Sequence, residues 1–187
     1  MKKLFLVFTA ILFLSASAAA SALASEVDAK KSAITWTATK ITGSGHTGQI
    51  FPKSSSVKLE AGVIVSGEII FDMNSITVTD ITGKKAESFI NHMKSSDFFD
   101  VAKHPTATLK VAELKDGQAK GELIIKGKSQ PISFKVRNEG GKYIGKTAFD
   151  RTKYGIIYRS GNFFKKLGDK VIKDLVDVEF TIVLKAN

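Results

Sequence analysis

Apolar and polar residues alternate along most of the chain from residue 32 onward. In the segment 32–40, Ile34, Trp36 and Ala38 alternate with threonines, which is the period-two pattern of a β-strand with one buried face. Similar runs cover residues 62–73, 106–114, 118–127, 130–138 and 175–185. The last run is the most regular, and its apolar positions are Val176, Val178, Phe180, Ile182 and Leu184. The pattern predicts a protein built mainly of antiparallel strands.

Glycine-containing turns separate these runs. They lie at residues 116–117, 126–127, 139–141 and 167–169. Such pairs favour tight hairpin turns, because glycine accepts a positive φ without strain. Strands that follow one another through hairpins predict an all-β fold, either a closed antiparallel barrel or a sandwich. A parallel βαβ sheet is not expected, because no helix recurs between the strands.

One segment has helical spacing instead. In residues 84–94, Ala86, Phe89, Ile90 and Met93 fall at i, i+3, i+4 and i+7, which predicts one short helix. Thr82 is the expected N-cap. The following residues, SSDFFD at 95–100, predict a second, short helical turn that carries two adjacent phenylalanines.

The N-terminus predicts export. Two lysines, an apolar run and a stretch of small residues that ends in Ala-Leu-Ala at 22–24 form a secretory signal peptide at 1–24, with cleavage before Ser25. The alternative, an uncleaved membrane anchor, is disfavoured because the apolar run is shorter than the ~20 residues that span a bilayer. The chain has 0 cysteines, which suits a periplasmic protein and leaves secretion from the cell open. Residues 25–187 are then one domain.

Composition excludes several classes of function. The net charge of +10 comes mainly from dispersed lysines, which indicate either attraction to anionic surfaces or a solvated basic face. No dense basic cluster with interleaved stacking aromatics is present, so nucleic acid is not an expected partner. His46, His92 and His104 form no metal-binding spacing. No G-x-S-x-G elbow or other nucleophile–base pattern is present, so neither a cofactor nor catalysis is predicted.

Four strings in the sequence resemble one family in order and spacing. They are SITVTD, SSDFFDVAKHPTATLK, GELIIKGKSQPISFKV and the long C-terminal string from DRTKYGIIYRS to VEFTIVL. Together they are similar to the YceI-like family of exported polyisoprenoid-binding proteins, and they span most of residues 25–187. Three places depart from the family pattern: Ile124 replaces the usual threonine, the first strands read WTATKITGSGHTG, and the late turn is extended by YRSGNFFKKLGD.

The resemblance implies an extended, lipocalin-like antiparallel barrel that holds a long-chain isoprenoid, a quinone-like molecule or another amphiphilic lipid. Alternation then places a set of large apolar side chains on the interior. The expected ligand-binding residues are Trp36, Phe71, Phe89, Phe98, Phe99, Leu109, Leu123, Phe134 and Phe180. Arg151, Tyr154 and Tyr158 are expected to meet a polar head group near the mouth. Phe98 and Phe99 are expected to form a wall or lid against the helix.

A second interpretation stays open. The 13 phenylalanines can fill an ordinary core, and the protein would then be an extracytoplasmic stress or interaction protein without a lipid ligand. The sequence does not distinguish a lined cavity from a filled core. The oligomeric state is open as well, a homodimer included.

Overall fold

The structure is a computed structural model, and it describes residues 23–185. The predicted signal peptide lies outside the described residues except for its last two positions. The one α-helix, α1, is Gly83–Lys94. The ten strands, β1 to β10 in chain order, are Leu23–Ser25, Ala33–Thr39, Gly45–Gln49, Phe51–Glu60, Val63–Asp72, Thr106–Lys115, Gln118–Ile125, Lys128–Glu139, Lys142–Asp150 and Leu175–Val183.

All ten strands belong to one antiparallel sheet. Their spatial order is β1-β4-β5-β6-β7-β8-β9-β10-β2-β3, so β4 to β10 follow one another as a meander and β2 then pairs with β10. The sheet curls around a central cavity as a lipocalin-like barrel, which confirms the predicted fold class and decides against a sandwich. The N-terminal segment ties the two sides together: Ser25 pairs with Val57 of β4, and Val27 forms a bridge with Leu184. The rest of β1, Leu23 and Ala24, belongs to the predicted signal peptide.

The hairpin turns follow the predicted chemistry. Asp116 and Gly117 both have positive φ, 50° and 72°, and so do Lys126 and Gly127 at 50° and 71°. Two successive residues with positive φ form the tight turn whose twist matches the flanking strands. These turns fix the registers β6–β7 and β7–β8, and therefore which side chains point inward.

Helix α1 and the turn after it pack against one end of the barrel. Thr82 occupies the N-cap, but its side chain makes no capping hydrogen bond. Met93 is buried with Trp36 and Val176, and Phe98 and Phe99 pack against the same cluster. The turn is held by Ser95, whose carbonyl oxygen accepts the N–H groups of Phe98 and Asp100 at 3.1 and 2.8 Å. No helix within residues 23–185 is long and apolar enough to cross a membrane.

Candidate functional site

The barrel encloses a cavity of about 480 Å³. This volume lies within the range of small-molecule sites, ~300–1,000 Å³. Ten of the twelve predicted ligand-binding residues line it: Trp36, Phe71, Phe89, Phe98, Phe99, Leu109, Leu123, Phe134, Arg151 and Phe180. Tyr154 and Tyr158 do not line it. A filled core would have no such cavity. The role of the lining residues in ligand binding stays a prediction.

Strand alternation produces the apolar lining. In β10, Val176, Val178 and Phe180 line the cavity, while Asp177 and Glu179 are exposed on the outer face. Phe180 meets Phe134 edge-on, with 5.5 Å between ring centroids. The ring lies over Gly145, where an added Cβ would be 2.4 Å from Phe180 Cζ. Glycine at this position therefore makes room for the Phe180 ring.

The cavity opens at the β2–β3 hairpin. Ser44 and Gly45 are the lining residues that are exposed within the described chain, and Lys40 and His46 line the same opening. Other lining residues lie near the opposite end, where the Tyr143 hydroxyl accepts the Ile64 N–H at 3.0 Å across the barrel. The site is therefore a pocket with a polar mouth and an apolar interior. The sequence marks this segment as a departure from the family pattern, but it predicts the head-group contacts at Arg151, Tyr154 and Tyr158 and not at this loop, whose residues carry no periodic pattern.

Trp36 holds a buried hydrogen-bond donor in the cavity wall. The side chain is 6% exposed, and its Nε1–H has no hydrogen-bond partner in the part of the chain that the structure describes. Its ring stacks on Phe89, with 6.3 Å between centroids and 15° between planes. A buried donor without a partner costs about 1–3 kcal/mol. The Nε1 atom has no accessible surface, and the adjoining ring atoms lie against Gly48, so a bound molecule reaches this donor only if the indole turns toward the cavity.

Two histidines support the aromatic rings near the helix. His46 Nδ1 lies 2.8 Å from Asp80 Oδ2, and its ring is 4.5 Å from Phe89. Desolvation opposes ionisation of Asp80, but the bonds from the Thr47 N–H and from His46 outweigh it and hold the pKa of Asp80 below its usual value. The pair therefore ties the mouth hairpin to the segment before α1.

His92 has the corresponding arrangement beside the phenylalanine turn. Its Nε2 lies 2.9 Å from Asp97 Oδ2, and its ring packs edge-on against Phe98 and Tyr158 at 5.0 and 4.8 Å. Tyr158 thus supports Phe98 from outside the cavity. Among residues 23–185, no three histidine or carboxylate side chains form a group that could hold a metal ion.

Arg151 lines the cavity, but its guanidinium donates all of its hydrogen bonds to other groups of the protein. Its side chain is 3% exposed. All five guanidinium N–H groups donate hydrogen bonds, and the acceptors are the carbonyl oxygens of Ile156, Tyr158, Ile172 and Lys173 and the carboxylate of Asp174. Desolvation lowers the pKa of Arg151, and Asp174 opposes that shift. No donor is left over for a head group, so the guanidinium acts as a clamp on the loop between β9 and β10.

Tyr154 should make the fold sensitive to alkali. It is 2% exposed, and burial with the nearby charge of Asp150 raises its pKa to about 12 from 10. Because the unfolded chain loses this proton first, the free energy of unfolding should fall by about 2–3 kcal/mol as the pH rises from below 10 to about 12. Urea unfolding at pH values across this range measures the fall. The Tyr154→Phe variant should lose this component, and an unchanged slope in that variant would contradict the assignment.

The sequence matches the profile of the YceI-like domain over residues 26–184. The chain belongs to the YceI-like family. The match begins directly after the predicted cleavage site and covers every strand from β2 to β10. No curated protein matches the chain.

Two solved structures illustrate the likeness. BcnA of Burkholderia cenocepacia is 19% identical, with a TM-score of 0.63, and the alignment covers 86% of this chain and 99% of BcnA. A polyisoprenoid binding domain of Saccharophagus degradans, implicated in plant cell wall breakdown, is 18% identical, with a TM-score of 0.61. That alignment covers 89% of this chain and 100% of the domain. At these identities the likeness concerns the fold.

Proposed function

We propose that this YceI-like protein is a non-enzymatic, exported binding protein that holds an amphiphilic lipid in the barrel. The observation that carries the proposal is the apolar cavity of about 480 Å³ that opens at a polar mouth. Burial of a hydrocarbon chain gains ~0.8 kcal/mol per methylene, so about ten methylenes gain ~8 kcal/mol before the cost of association. Such a site needs few polar contacts. The Saccharophagus degradans domain, a polyisoprenoid binder by name, has the same fold.

The unpartnered donor of Trp36 favours a ligand with an acceptor oxygen over a pure hydrocarbon if the indole turns toward the ligand on binding. A quinone-like head group carries carbonyl oxygens, and a long isoprenoid chain would fill the apolar interior. A phosphate is a poor fit in the apolar interior, because an ion loses its hydration there and Arg151 has no free donor. At the mouth, Lys40 offers a cation to such a head group. We therefore keep two candidate ligands, a quinone-like lipid and an isoprenoid whose polar head group lies at the mouth.

Catalysis is not part of the proposal. The nearest arrangement to a hydrolytic triad is Ser44, His46 and Asp80 at the mouth. Ser44 Oγ bonds Thr42 Oγ1 at 3.2 Å, and no hydrogen bond joins Ser44 to His46 in the described chain. A nucleophile without a base within reach is not activated. The His46–Asp80 pair is explained by its structural role at the hairpin.

A native mass spectrum of gently purified protein tests the main proposal. We expect a bound species whose organic extract contains an isoprenoid or another amphiphilic lipid. A clean mass of the empty protein from cells that make such lipids, together with no uptake of added quinone, would favour the filled-core interpretation.

Trp36→Phe should separate oxygen-bearing ligands from hydrocarbons. The substitution keeps an aromatic ring and removes the buried N–H, so affinity for a prenylated quinone should fall by about tenfold if the indole turns to bond the head group. Affinity for the matching prenyl hydrocarbon should stay the same, because the donor is unpartnered with or without that ligand. Titration of both ligands into parent and variant measures the difference. Equal losses for the two ligands would show that the N–H makes no hydrogen bond to the bound molecule.

A further inference from the structure

Exposed apolar residues gather around the opening of the cavity. Within the described chain, five large hydrophobic residues are exposed. Three of them lie on two neighbouring loops, residues 40–45 and 159–173, which we call the rim: Ile41 is 56% exposed, Phe163 55% and Phe164 44%. Contact between apolar side chains and water is unfavourable, so a cluster of exposed apolar side chains marks a surface that binds a partner.

Backbone hydrogen bonds join the two rim loops to each other and to the mouth. The Ile41 N–H donates to Val171 O at 3.1 Å, and the Ile172 N–H donates to Arg159 O at 2.9 Å. The Phe164 N–H donates to the carbonyl of Ser160, a fully buried residue. Lys40 and Ile172, which belong to the rim, also line the cavity. The exposed rings therefore stand beside the opening itself.

The rim is also basic. Lys165, Lys166, Lys170 and Lys173 are exposed on the longer loop, and none of them forms an ion pair with another described residue. Asp169 is the one exposed carboxylate of the two loops. Phenylalanines that enter the acyl boundary, with lysines at the phosphate level, are the composition of a membrane-surface contact. A second copy of this rim is a poor partner, because two sets of lysines would face each other.

We propose that the rim docks on an anionic phospholipid bilayer, so that the cavity mouth faces the membrane. Phe163, Phe164 and Ile41 enter the interfacial region, and the lysines contact phosphate groups. In this orientation a lipid chain passes between bilayer and cavity without crossing water. Docking rests on the rim alone and is measured without a cavity ligand, so its failure leaves lipid binding in the cavity untouched.

Co-sedimentation of the exported chain, residues 25–187, with lipid vesicles tests the proposal. We expect binding to vesicles of phosphatidylcholine and phosphatidylglycerol in equal parts, weak binding to phosphatidylcholine alone, and release at high salt. Phe163→Ser with Phe164→Ser should weaken binding by about tenfold or more. Val63→Ser is the matched control, since Val63 is 44% exposed on the β4–β5 hairpin away from the rim, and it should bind as the parent does.

Insertion has its own readout. Phe163→Trp places a reporter on the rim. Trp36 lines the cavity and can itself be quenched by a chain that enters it, so the parent protein with the same vesicles supplies the background to be subtracted. Brominated acyl chains should quench the new fluorophore. The proposal is overturned by a parent that ignores anionic vesicles, by a double serine variant that binds like the parent, or by a reporter that is not quenched. Co-sedimentation that survives the serine changes would indicate charge attraction without an inserted rim, and self-association or protein capture in place of vesicle binding would point to a protein partner.

Discussion

Replacing Arg151 with leucine should lower the free energy of unfolding by about 3–5 kcal/mol, or prevent folding. The guanidinium satisfies four carbonyl oxygens and the carboxylate of Asp174, which is itself 15% exposed. Leucine would leave the four buried or partly buried carbonyl oxygens without this donor, and it would remove the cation beside Asp174, whose other oxygen still accepts from Asn162. Urea unfolding of parent and variant, followed by far-UV circular dichroism, measures the loss.

Two further variants make the interpretation specific. Arg137→Leu is the control, because that arginine is 74% exposed on the outer face of β8 and its loss should matter little. Arg151→Lys should recover only part of the stability, since an ammonium has three donors and cannot reach five acceptors. A stable Arg151→Leu protein that loses only lipid affinity would restore the head-group role expected from the sequence.

The strands and their interior faces could be predicted because side chains alternate every two residues along a strand, whichever strand lies beside it. In β10, strict alternation places Phe180 inside and Glu179 outside whatever strand lies beside it. The helix is equally local, as Phe89 and Met93 share one face at helical spacing. Phe180, Phe89 and Met93 all line the cavity. The glycine turns then set the registers, so the barrel follows from short-range signals.

The polar residues of the site could not be predicted in the same way. Arg151 and Tyr154 directly follow a strand, and from the sequence both were expected to contact a polar head group near the mouth. Their burial depends on the chain from Ile156 to Asp174 folding back over them, and its backbone carbonyls have no signature in side-chain sequence. The unpartnered Nε1–H of Trp36 is invisible for the same reason. Such contacts join residues that only the folded loop brings together.

A lined cavity and a filled core make opposite predictions for a larger interior side chain. In a close-packed core, an added ring forces strained rotamers and costs about 1–3 kcal/mol. In an empty cavity, the same ring enters existing space and gains apolar burial. A small, buried residue of the wall is therefore the best position for the comparison. Ala107 meets this need: it is 6% exposed, lines the cavity, and pairs with Phe71 of β5.

Ala107→Phe should leave the free energy of unfolding within about 1 kcal/mol of the parent and abolish most lipid binding. The ring would displace about six carbons of ligand chain, ~5 kcal/mol at ~0.8 kcal/mol per methylene, so affinity should fall by at least about 100-fold. Ala148→Phe is the matched control: Ala148 is exposed between two β9 residues that line the cavity, so its added ring points outward. Melting curves and extracted lipid masses of the three proteins decide the outcome. A strongly destabilised Ala107→Phe protein, with no lipid in the parent, would establish a filled core and end the case for a lipid carrier.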